Sequence, residues 1–237
     1  MSLAIPDAPC PIAVFARAPV AGAAKTRLIP RLGRQGAADL HARLVRHMLA
    51  QATDAGLGAV TLWCSPDAEH PFFAACGVRF GVGLVAQTGG DLGARMHAAF
   101  VAAHGPLLLI GTDCPVLTPA LLREAASALA DGCDAVFCPA EDGGYGLVGL
   151  RAPCTLLFSE MPWGTEHVMA QTRVRLVQAG LSWHETAPVW DVDRPEDVDR
   201  LANWGSCQLE QRRSQSRGGD VTSLVPALRS GLKDGHD

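Results

Sequence analysis

The chain has 237 residues, and 48% of them are hydrophobic, which is enough to close a substantial core. Its 20 Lys and Arg residues against 24 Asp and Glu residues give a formal net charge of −4, so no global positive field favours nucleic acid or an anionic membrane. No apolar run approaches the roughly 18 to 20 residues of a membrane span, and the N-terminus lacks the basic start and apolar stretch of a secretion signal. Composition therefore predicts a cytoplasmic protein without a nucleic-acid partner, in which any phosphate-binding charge is local.

The first predicted elements are a strand, a loop and a helix. The run PIAVFARAP (11–19) is apolar and β-branched and then meets Pro19 and Gly22, which is typical of a buried strand that ends in a loop. From residue 37 to residue 52, apolar residues recur at helical spacing.

The basic segment (residues 15–28, FARAPVAGAAKTRL) joins that strand to the helix, and it carries Arg17, Lys25 and Arg27. Arg can bind a phosphate through two hydrogen bonds and Lys acts as a point charge, so with exposed backbone N–H groups the segment could hold a diphosphate. It is not a Walker A loop, because Gly22 and Lys25 are separated by two alanines instead of standing side by side. The alternative is a solvated basic turn that leads into a helix.

Further strands are predicted at 59–64, 106–111 and 134–139, with helices at 91–103 and 119–130 between them. This alternation predicts a three-layer α/β/α sandwich around a mainly parallel sheet. Ligands bind such sheets at the carboxyl ends of the strands. The polar motifs of this sequence directly follow predicted strands, which makes them the candidate site.

Three aspartates are predicted to bind a metal ion. Asp113 stands just past an apolar strand, and Asp191 and Asp193 alternate on an extended segment, so their side chains project to one face. Hard divalent ions such as Mg²⁺ or Mn²⁺ prefer carboxylate and phosphate oxygens. As alternatives, Asp113 could accept backbone N–H bonds in a turn, and Asp193 could cap a helix that begins near Pro195.

Two glycine-rich segments complete the candidates. In AEDGGYGLVGL (140–150), Gly143 and Gly144 could let a substrate ring approach the backbone, and Asp142 could act as a base toward the acceptor. A hairpin turn explains this segment equally well. In QTGGDLGARM (87–96), two glycines precede a predicted helix, and Arg95 is placed either to reach a phosphate or to lie on the surface.

The sequence pattern also predicts the domain boundaries. Strand and helix signals run from about residue 11 to Trp204, after which the chain becomes polar, glycine-rich and aperiodic. We therefore expect one catalytic domain over residues 11–204 and a polar C-terminal tail over residues 205–237.

Four motifs, FARAPVAGAAKTRL, GTDCPVL, EDGGYGLVGL and WDVDRPED, occur in the order seen in a glycosyltransferase-like family associated with arsenosugar biosynthesis. The chain also looks like a more distant relative of 2-phospholactate guanylyltransferase and molybdenum cofactor guanylyltransferase. This resemblance covers about residues 11 to 203 and implies the A-type glycosyltransferase, or nucleotide-diphospho-sugar transferase, fold. The chain departs from the usual Asp-x-Asp metal motif, because Asp113 is followed by Cys114 and Pro115.

The resemblance implies that four residues of the basic segment lie against the nucleotide phosphates: Arg17, Gly22, Lys25 and Arg27. It also implies that Asp191 and Asp193 approach the ion of Asp113. With Asp142 as a base, the predicted catalytic residues are Lys25, Asp113 and Asp142.

The expected function is transfer from a nucleotide-activated sugar, with Mg²⁺ or Mn²⁺ and Lys25 stabilising the leaving diphosphate. One alternative is a nucleotidyltransferase that acts on an NTP and a phosphorylated small-molecule acceptor. The other is a non-catalytic nucleotide-binding module. The expected partners are thus a nucleotide sugar or NTP and a small-molecule acceptor, and the chain could also pair with a second copy as a homodimer.

Overall fold

The computed structural model describes residues 9–215, with side chains for residues 9–205. The chain divides into two compact units. The first contains the residues up to Ala18 together with Val45–Asp191, and the second contains Pro19–Leu44 together with the residues from Val192 onward. Because both units contribute to residues 11–204, one catalytic domain over that range stays a prediction.

A seven-stranded sheet forms the centre of the first unit, in the order β3-β2-β1-β4-β6-β5-β7. Its strands are β1 Ile12–Arg17, β2 Val60–Ser65, β3 Gly83–Ala86, β4 Leu107–Ile110, β5 Ala135–Pro139, β6 Tyr145–Leu150 and β7 Trp183–Glu185. Only β6 runs antiparallel to its neighbours, β4 and β5. The turn between β5 and β6 is too short for a crossover, which forces this reversal. The predicted, mainly parallel sheet is therefore confirmed.

Six α-helices lie in the described part of the chain. They are α1 Ile29–Ala55, α2 Pro71–Phe80, α3 Leu92–Ala103, α4 Pro119–Ala130, α5 Val168–Ala179 and α6 Pro195–Gln215. The predicted helix at 119–130 has the observed bounds of α4, since Thr118 accepts a hydrogen bond from the Leu121 N–H at 3.3 Å and fixes its start. Helix α1 begins before the predicted range and contains a break at Gly33, where φ is 71°.

The sheet of the first unit is covered on both faces. Ile12 and Val14 of β1 point to one face, where they pack with the C-terminal half of α1, α2 and α4. Ala13 and Phe15 point to the other face, toward α3 and α5. Alternation along a strand sends successive side chains to opposite faces, so one apolar strand fills two core layers. This arrangement confirms the predicted three-layer α/β/α sandwich.

Several elements of the structure, among them α2, β3 and β7, are not singled out by the sequence pattern. Strand β3 has four residues and β7 has three, which is too short for periodicity to identify a strand. Helix α6 differs from expectation in another way, because it continues to Gln215 and so enters the predicted polar tail. The rest of that predicted tail, 216–237, lies outside the described residues. A search of the described helices finds none with the length and hydropathy to cross a bilayer.

An ion pair ties α5 to the edge strand β7. The Arg173 Nε and Nη2 atoms donate to the two carboxylate oxygens of Glu185 at 2.8 and 2.7 Å, and Trp183 Nε1 donates to the same carboxylate at 3.0 Å. The hydrogen bonds from Arg173 hold the pKa of Glu185 below its usual range. A depressed pKa in the folded state means that the pair stabilises the protein above the unfolded-state pKa of Glu. This contribution disappears as the pH falls through the folded-state value.

We expect the Arg173→Ala variant to lose roughly 0.5–1 kcal/mol of unfolding free energy at pH 7, since both partners are partly exposed and screened. Urea denaturation at pH 7 and at about pH 3 would measure the difference, which should be smaller at the lower pH because that pH lies below the unfolded-state pKa of Glu. An equal loss at both pH values would show that the Arg173 stem stabilises by packing and that the charge pair contributes nothing.

Candidate nucleotide site

Asp113 lies at the carboxyl edge of the sheet in the first unit. It follows β4 by three positions and is half-buried. Thr112 Oγ1 lies 3.5 Å from its Oδ1 atom, and the Gly111 N–H donates to the Gly146 carbonyl at 3.2 Å. Two residues further on, the Pro115 carbonyl lies 2.8 Å from His47 Nε2. The loop after β4 is therefore held at several points, and Asp113 stands where ligands bind sheets of this type.

Arg17 marks the same edge one strand away. It is the last residue of β1 and its side chain is exposed, while the preceding five residues of that strand are buried. Because β1 and β4 are parallel neighbours, their carboxyl ends meet at one edge of the sheet. Within the first unit, the structure thus places Arg17 and Asp113 at a common edge, as the sequence predicts.

Gln87 is a polar residue of this edge that sequence reasoning missed. Its Nε2 atom donates to the carbonyls of Trp63 at 2.8 Å and Ala16 at 3.4 Å, and its N–H donates to the Cys64 carbonyl at 2.8 Å. One side chain thereby joins the ends of β1 and β2. Its position after a strand was the only available signal, and that strand, β3, is too short to recognise in the sequence.

Arg95 lies in the first turns of α3, beyond β3. Asp91 caps this helix by accepting from the Ala94 N–H at 2.7 Å, and Arg95 Nη2 donates to the Gly90 carbonyl at 3.1 Å. A side chain at Gly89 would collide with the backbone of Ala94 and Arg95, which explains the first glycine of the pair. Phosphate binding by Arg95 stays a prediction, and the structure gives this side chain a role in shaping the turn.

The segment after β5 forms a tight turn. Asp142 Oδ1 accepts from the Gly144 N–H at 2.9 Å, and the Ala140 N–H donates to the Gly144 carbonyl at 3.0 Å. Asp142 is exposed at the tip, and its carboxylate stabilises the turn, as short polar side chains often do. The geometry favours the hairpin interpretation of this segment, and a role for Asp142 as a base stays a prediction.

Gly143 is needed because another part of the protein approaches it closely, whereas the sequence suggested the approach of a substrate ring. Its φ is +87°, and a Cβ atom at this position would overlap the Glu166 carbonyl, while its own carbonyl accepts from the Met169 N–H at 2.8 Å. The close approach is therefore made by residue 166 of the same chain. At Gly144, the nearest neighbour of an added Cβ would be the Asp142 carboxylate at 3.2 Å. Access of a substrate ring to these two glycines stays a prediction.

Tyr145 continues from this turn as the first residue of β6. Its ring packs edge-on against Phe137 at 5.2 Å and against Trp163 at 6.4 Å. Burial raises the pKa of the Tyr145 hydroxyl far above its usual value, so this group stays neutral near the site. Trp163 also packs against the core cluster, which supports a structural role for that side chain.

Asp191 lies at the same edge because the segment before it forms a parallel β-bridge with the residue after β5. Val189 pairs with Ala140, its N–H donates to the Pro139 carbonyl at 2.9 Å, and its carbonyl accepts from the Glu141 N–H at 3.0 Å. Asp191 follows two residues later and is half-buried. The first unit therefore assembles Arg17, Asp113 and Asp191 from distant parts of the sequence along one sheet edge.

The second unit contains Lys25, Arg27 and Asp193. Lys25 adopts a left-handed backbone conformation before a short 3-10 helix, Thr26–Leu28, and its Nζ atom donates to the Val192 carbonyl at 2.5 Å. Arg27 Nη1 donates to the Asp193 carboxylate, whose other oxygen lies 4.0 Å from Lys25 Nζ. These contacts involve the protein's own chain, and phosphate binding by Lys25 and Arg27 stays a prediction.

Gly22 also lies in the second unit, at a φ of +84°. A side chain there would meet the aliphatic part of Arg34 at an ordinary contact distance of 3.6 Å. The backbone conformation therefore explains this glycine, because a positive φ strains residues that carry a Cβ atom. Its predicted place against nucleotide phosphates is not tested by this geometry.

Asp193 has a different set of neighbours from those expected of a helix cap. The N–H groups of Asp193 and Arg194 donate to Asp197 Oδ2 at 3.0 and 2.6 Å, so the capping acceptor at the start of α6 is Asp197. Across the described part of the chain, no three His, Cys, Asp or Glu side chains are arranged to hold a metal ion. Metal binding by Asp113, Asp191 and Asp193 therefore stays a prediction.

Comparison with known proteins relates this fold to nucleotide chemistry. Residues 48–165 match the family described as "Uncharacterized protein conserved in bacteria (DUF2064)". The chain is 31% identical over 214 residues to phosphoenolpyruvate guanylyltransferase of Rubrobacter xylanophilus. The aligned region covers 86% of this chain and 100% of the relative.

Two solved structures share the fold. The first, assigned as a nucleotide-diphospho-sugar transferase from Desulfovibrio desulfuricans G20, has a TM-score of 0.78 and 26% identity, with 95% of this chain and 97% of that chain covered. The second, a cytidylyltransferase from Leptospira borgpetersenii, has a TM-score of 0.57 and 12% identity, with 97% and 100% covered. The predicted fold and the predicted kinship with guanylyltransferases are confirmed. The chain belongs to the same family as phosphoenolpyruvate guanylyltransferase and is a transferase with the nucleotide-diphospho-sugar transferase fold.

Proposed function

We propose that this transferase is a nucleotidyltransferase, which transfers a nucleoside monophosphate from an NTP to a phosphorylated small-molecule acceptor. The observation that carries this proposal is the 31% identity to a guanylyltransferase along the full length of that relative. The similarity spans 86% of this chain, which is far more of the sequence than the four short motifs cover. The similarity to a guanylyltransferase favours nucleotidyl transfer over sugar transfer. The sequence motifs alone had favoured sugar transfer.

In the proposed reaction, a phosphate oxygen of the acceptor attacks the α-phosphorus of the NTP. A bond forms between that oxygen and the phosphorus, the bond to the β-phosphate oxygen breaks, and pyrophosphate leaves with the negative charge. Catalysis of such a step depends on positioning and on stabilising the charge of the leaving group. Arg17 places an exposed cationic side chain at the carboxyl edge of the sheet, and Lys25 and Arg27 are candidates for contact with the phosphates.

We also propose that Asp113 and Asp191 hold a divalent cation, Mg²⁺ or Mn²⁺. Both are half-buried carboxylates at the same edge, and they offer the hard oxygen donors that these ions prefer. When bound, such an ion would neutralise phosphate charge as a Lewis acid. Arg17, at the same edge, would meanwhile bind and orient the phosphates.

Incubation with GTP and phosphoenolpyruvate or other phosphorylated acceptors, with and without Mn²⁺, tests the proposal. GTP is the first donor to try because the guanylyltransferase relative is named for guanylyl transfer. We expect release of pyrophosphate and a guanylylated acceptor in stoichiometric amounts. A panel of nucleotide sugars is the matched comparison, since sugar transfer releases a nucleoside diphosphate. Product from the nucleotide sugars alone would refute nucleotidyl transfer and support the alternative suggested by the Desulfovibrio structure.

A further inference from the structure

Two cations of the basic segment converge on one carboxylate in the second unit. Arg27 pairs directly with Asp193, and Lys25 Nζ lies 4.0 Å from the other oxygen of that carboxylate. The two cations differ in environment, because the Lys25 side chain is 5% exposed and the Arg27 side chain is 65% exposed. Lys25 is thus fixed in place, and Arg27 is accessible to a ligand from solvent.

The backbone around Lys25 makes this anchoring necessary. Lys25 has φ 48° and ψ 48°, a conformation that is unfavourable for a residue with a side chain and persists only where other contacts hold it. Its Nζ atom contacts the Val192 carbonyl at 2.5 Å, next to Asp193. Residues 192 and 193 therefore stabilise the strained turn from the opposite end of the sequence.

The backbone of Asp193 is tied to the start of α6. Its N–H donates to Asp197 Oδ2 at 3.0 Å, and two residues beyond Asp197 a second ion pair, Arg31–Asp199, spans 3.0 Å. Arg27–Asp193 joins the start of α6 to the segment that includes Lys25 and Arg27, whereas Arg31–Asp199 is a separate pair that involves neither of these cations. The backbone of Asp193 is therefore held at the start of α6, and its carboxylate is held by the pair with Arg27.

We propose that Asp193 is a positioning residue, which holds Lys25 and Arg27 together as a preformed binding pair for the phosphates of a nucleotide. Two cations this close repel each other, and a carboxylate between them offsets the repulsion. Side chains that are already in place lose less freedom when a ligand binds. The inference rests on the proposed nucleotide-binding function, and it gives Asp193 a role other than the metal ligand that the sequence predicts.

Nucleotide affinity with and without metal separates the two roles. We expect Asp193→Asn to weaken binding of GTP by about two- to fivefold, both in EDTA and in Mg²⁺, because an exposed ion pair contributes modestly. Asp193→Glu should restore most of the affinity, and Asp199→Asn, the matched control, should bind like the wild type. In an Arg27→Ala background the Asn substitution should have little further effect, since coupled residues are not additive.

Three results would overturn the proposal. They are a loss of GTP affinity that appears in Mg²⁺ but not in EDTA, tighter binding of GTP by Asp193→Asn, and effects of Asp193→Asn and Arg27→Ala on GTP affinity that are fully additive. Amide hydrogen exchange of residues 22–28 in the nucleotide-free protein provides an independent test. Exchange should be faster in Asp193→Asn than in Asp199→Asn, and equal rates would also refute the positioning role. If the wild-type protein bound no nucleotide while the exchange difference was present, the proposed function would fail and Asp193 would still be the anchor of the segment.

Discussion

Replacement of Asp113 by Asn should lower kcat/KM for nucleotidyl transfer by about 100-fold or more. Asn keeps the shape of the side chain and removes the charge that a divalent cation requires. A metal ion supplies several kcal/mol of charge stabilisation in the transition state, and each 1.36 kcal/mol corresponds to a tenfold change in rate. Because Asp113 is half-buried at the sheet edge with its loop held independently by His47, the fold should tolerate the change.

Initial rates of pyrophosphate release across a Mn²⁺ titration would measure this effect. Asp131→Asn is the matched control, since Asp131 is an exposed carboxylate at the C-terminus of α4. The control should keep wild-type rates, and both variants should unfold at similar urea concentrations. Full activity of Asp113→Asn at low Mn²⁺ would remove this residue from the proposed metal site.

Substitution of Gly143 by Ala should destabilise the protein by about 3 kcal/mol or more. A residue with a Cβ atom at φ +87° costs about 1–2 kcal/mol, and here the added atom also overlaps the Glu166 carbonyl. Movement of residue 166 would in turn disturb the hydrogen bond from the Met169 N–H, at the start of α5. Backbone strain and steric overlap together place this variant among the most destabilising single substitutions.

Gly164→Ala separates the two contributions to that loss. Gly164 has φ +78° and no atom within 4 Å of an added Cβ, so it carries the conformational cost without the overlap. Urea denaturation of both variants should show a loss of about 1–2 kcal/mol for Gly164→Ala and a clearly larger one for Gly143→Ala. Equal losses would mean that residue 166 moves aside at little cost.

The sequence motifs favoured sugar transfer, and the comparison with a guanylyltransferase favours nucleotidyl transfer. The motifs alone therefore do not distinguish the two reactions. Both reactions use a nucleotide with a polyphosphate, so both need cations near the phosphates and carboxylates for a metal ion. Arg17 and Asp113 are therefore consistent with either reaction. Similarity over the full length of a guanylyltransferase adds information about the rest of the chain, which four short motifs do not contain.

Local sequence determined most of the first unit's architecture. Apolar strands followed by helical periodicity predict the α/β/α layers, and the predicted helix at 119–130 has the bounds of α4. The positions of Arg17 and Asp113 at one sheet edge follow from the same reasoning, since parallel strands end together, whereas the approach of Asp191 was implied only by the family resemblance. Very short elements such as β3 and β7 are missed, because three or four residues show no reliable period.

Only the tertiary structure decided what individual polar groups contact. The sequence shows an Asp-Gly-Gly turn, and it does not show that Glu166 packs against Gly143. It shows Asp193 two residues after Asp191, and it does not show that Arg27, 166 positions away, takes that carboxylate as its partner. Periodicity and turn chemistry act between neighbours along the chain, whereas charge pairing and steric exclusion act between atoms that folding brings together. For that reason the sequence determined that Arg17 and Asp113 lie at one sheet edge, and the folded chain determined which groups the polar side chains contact.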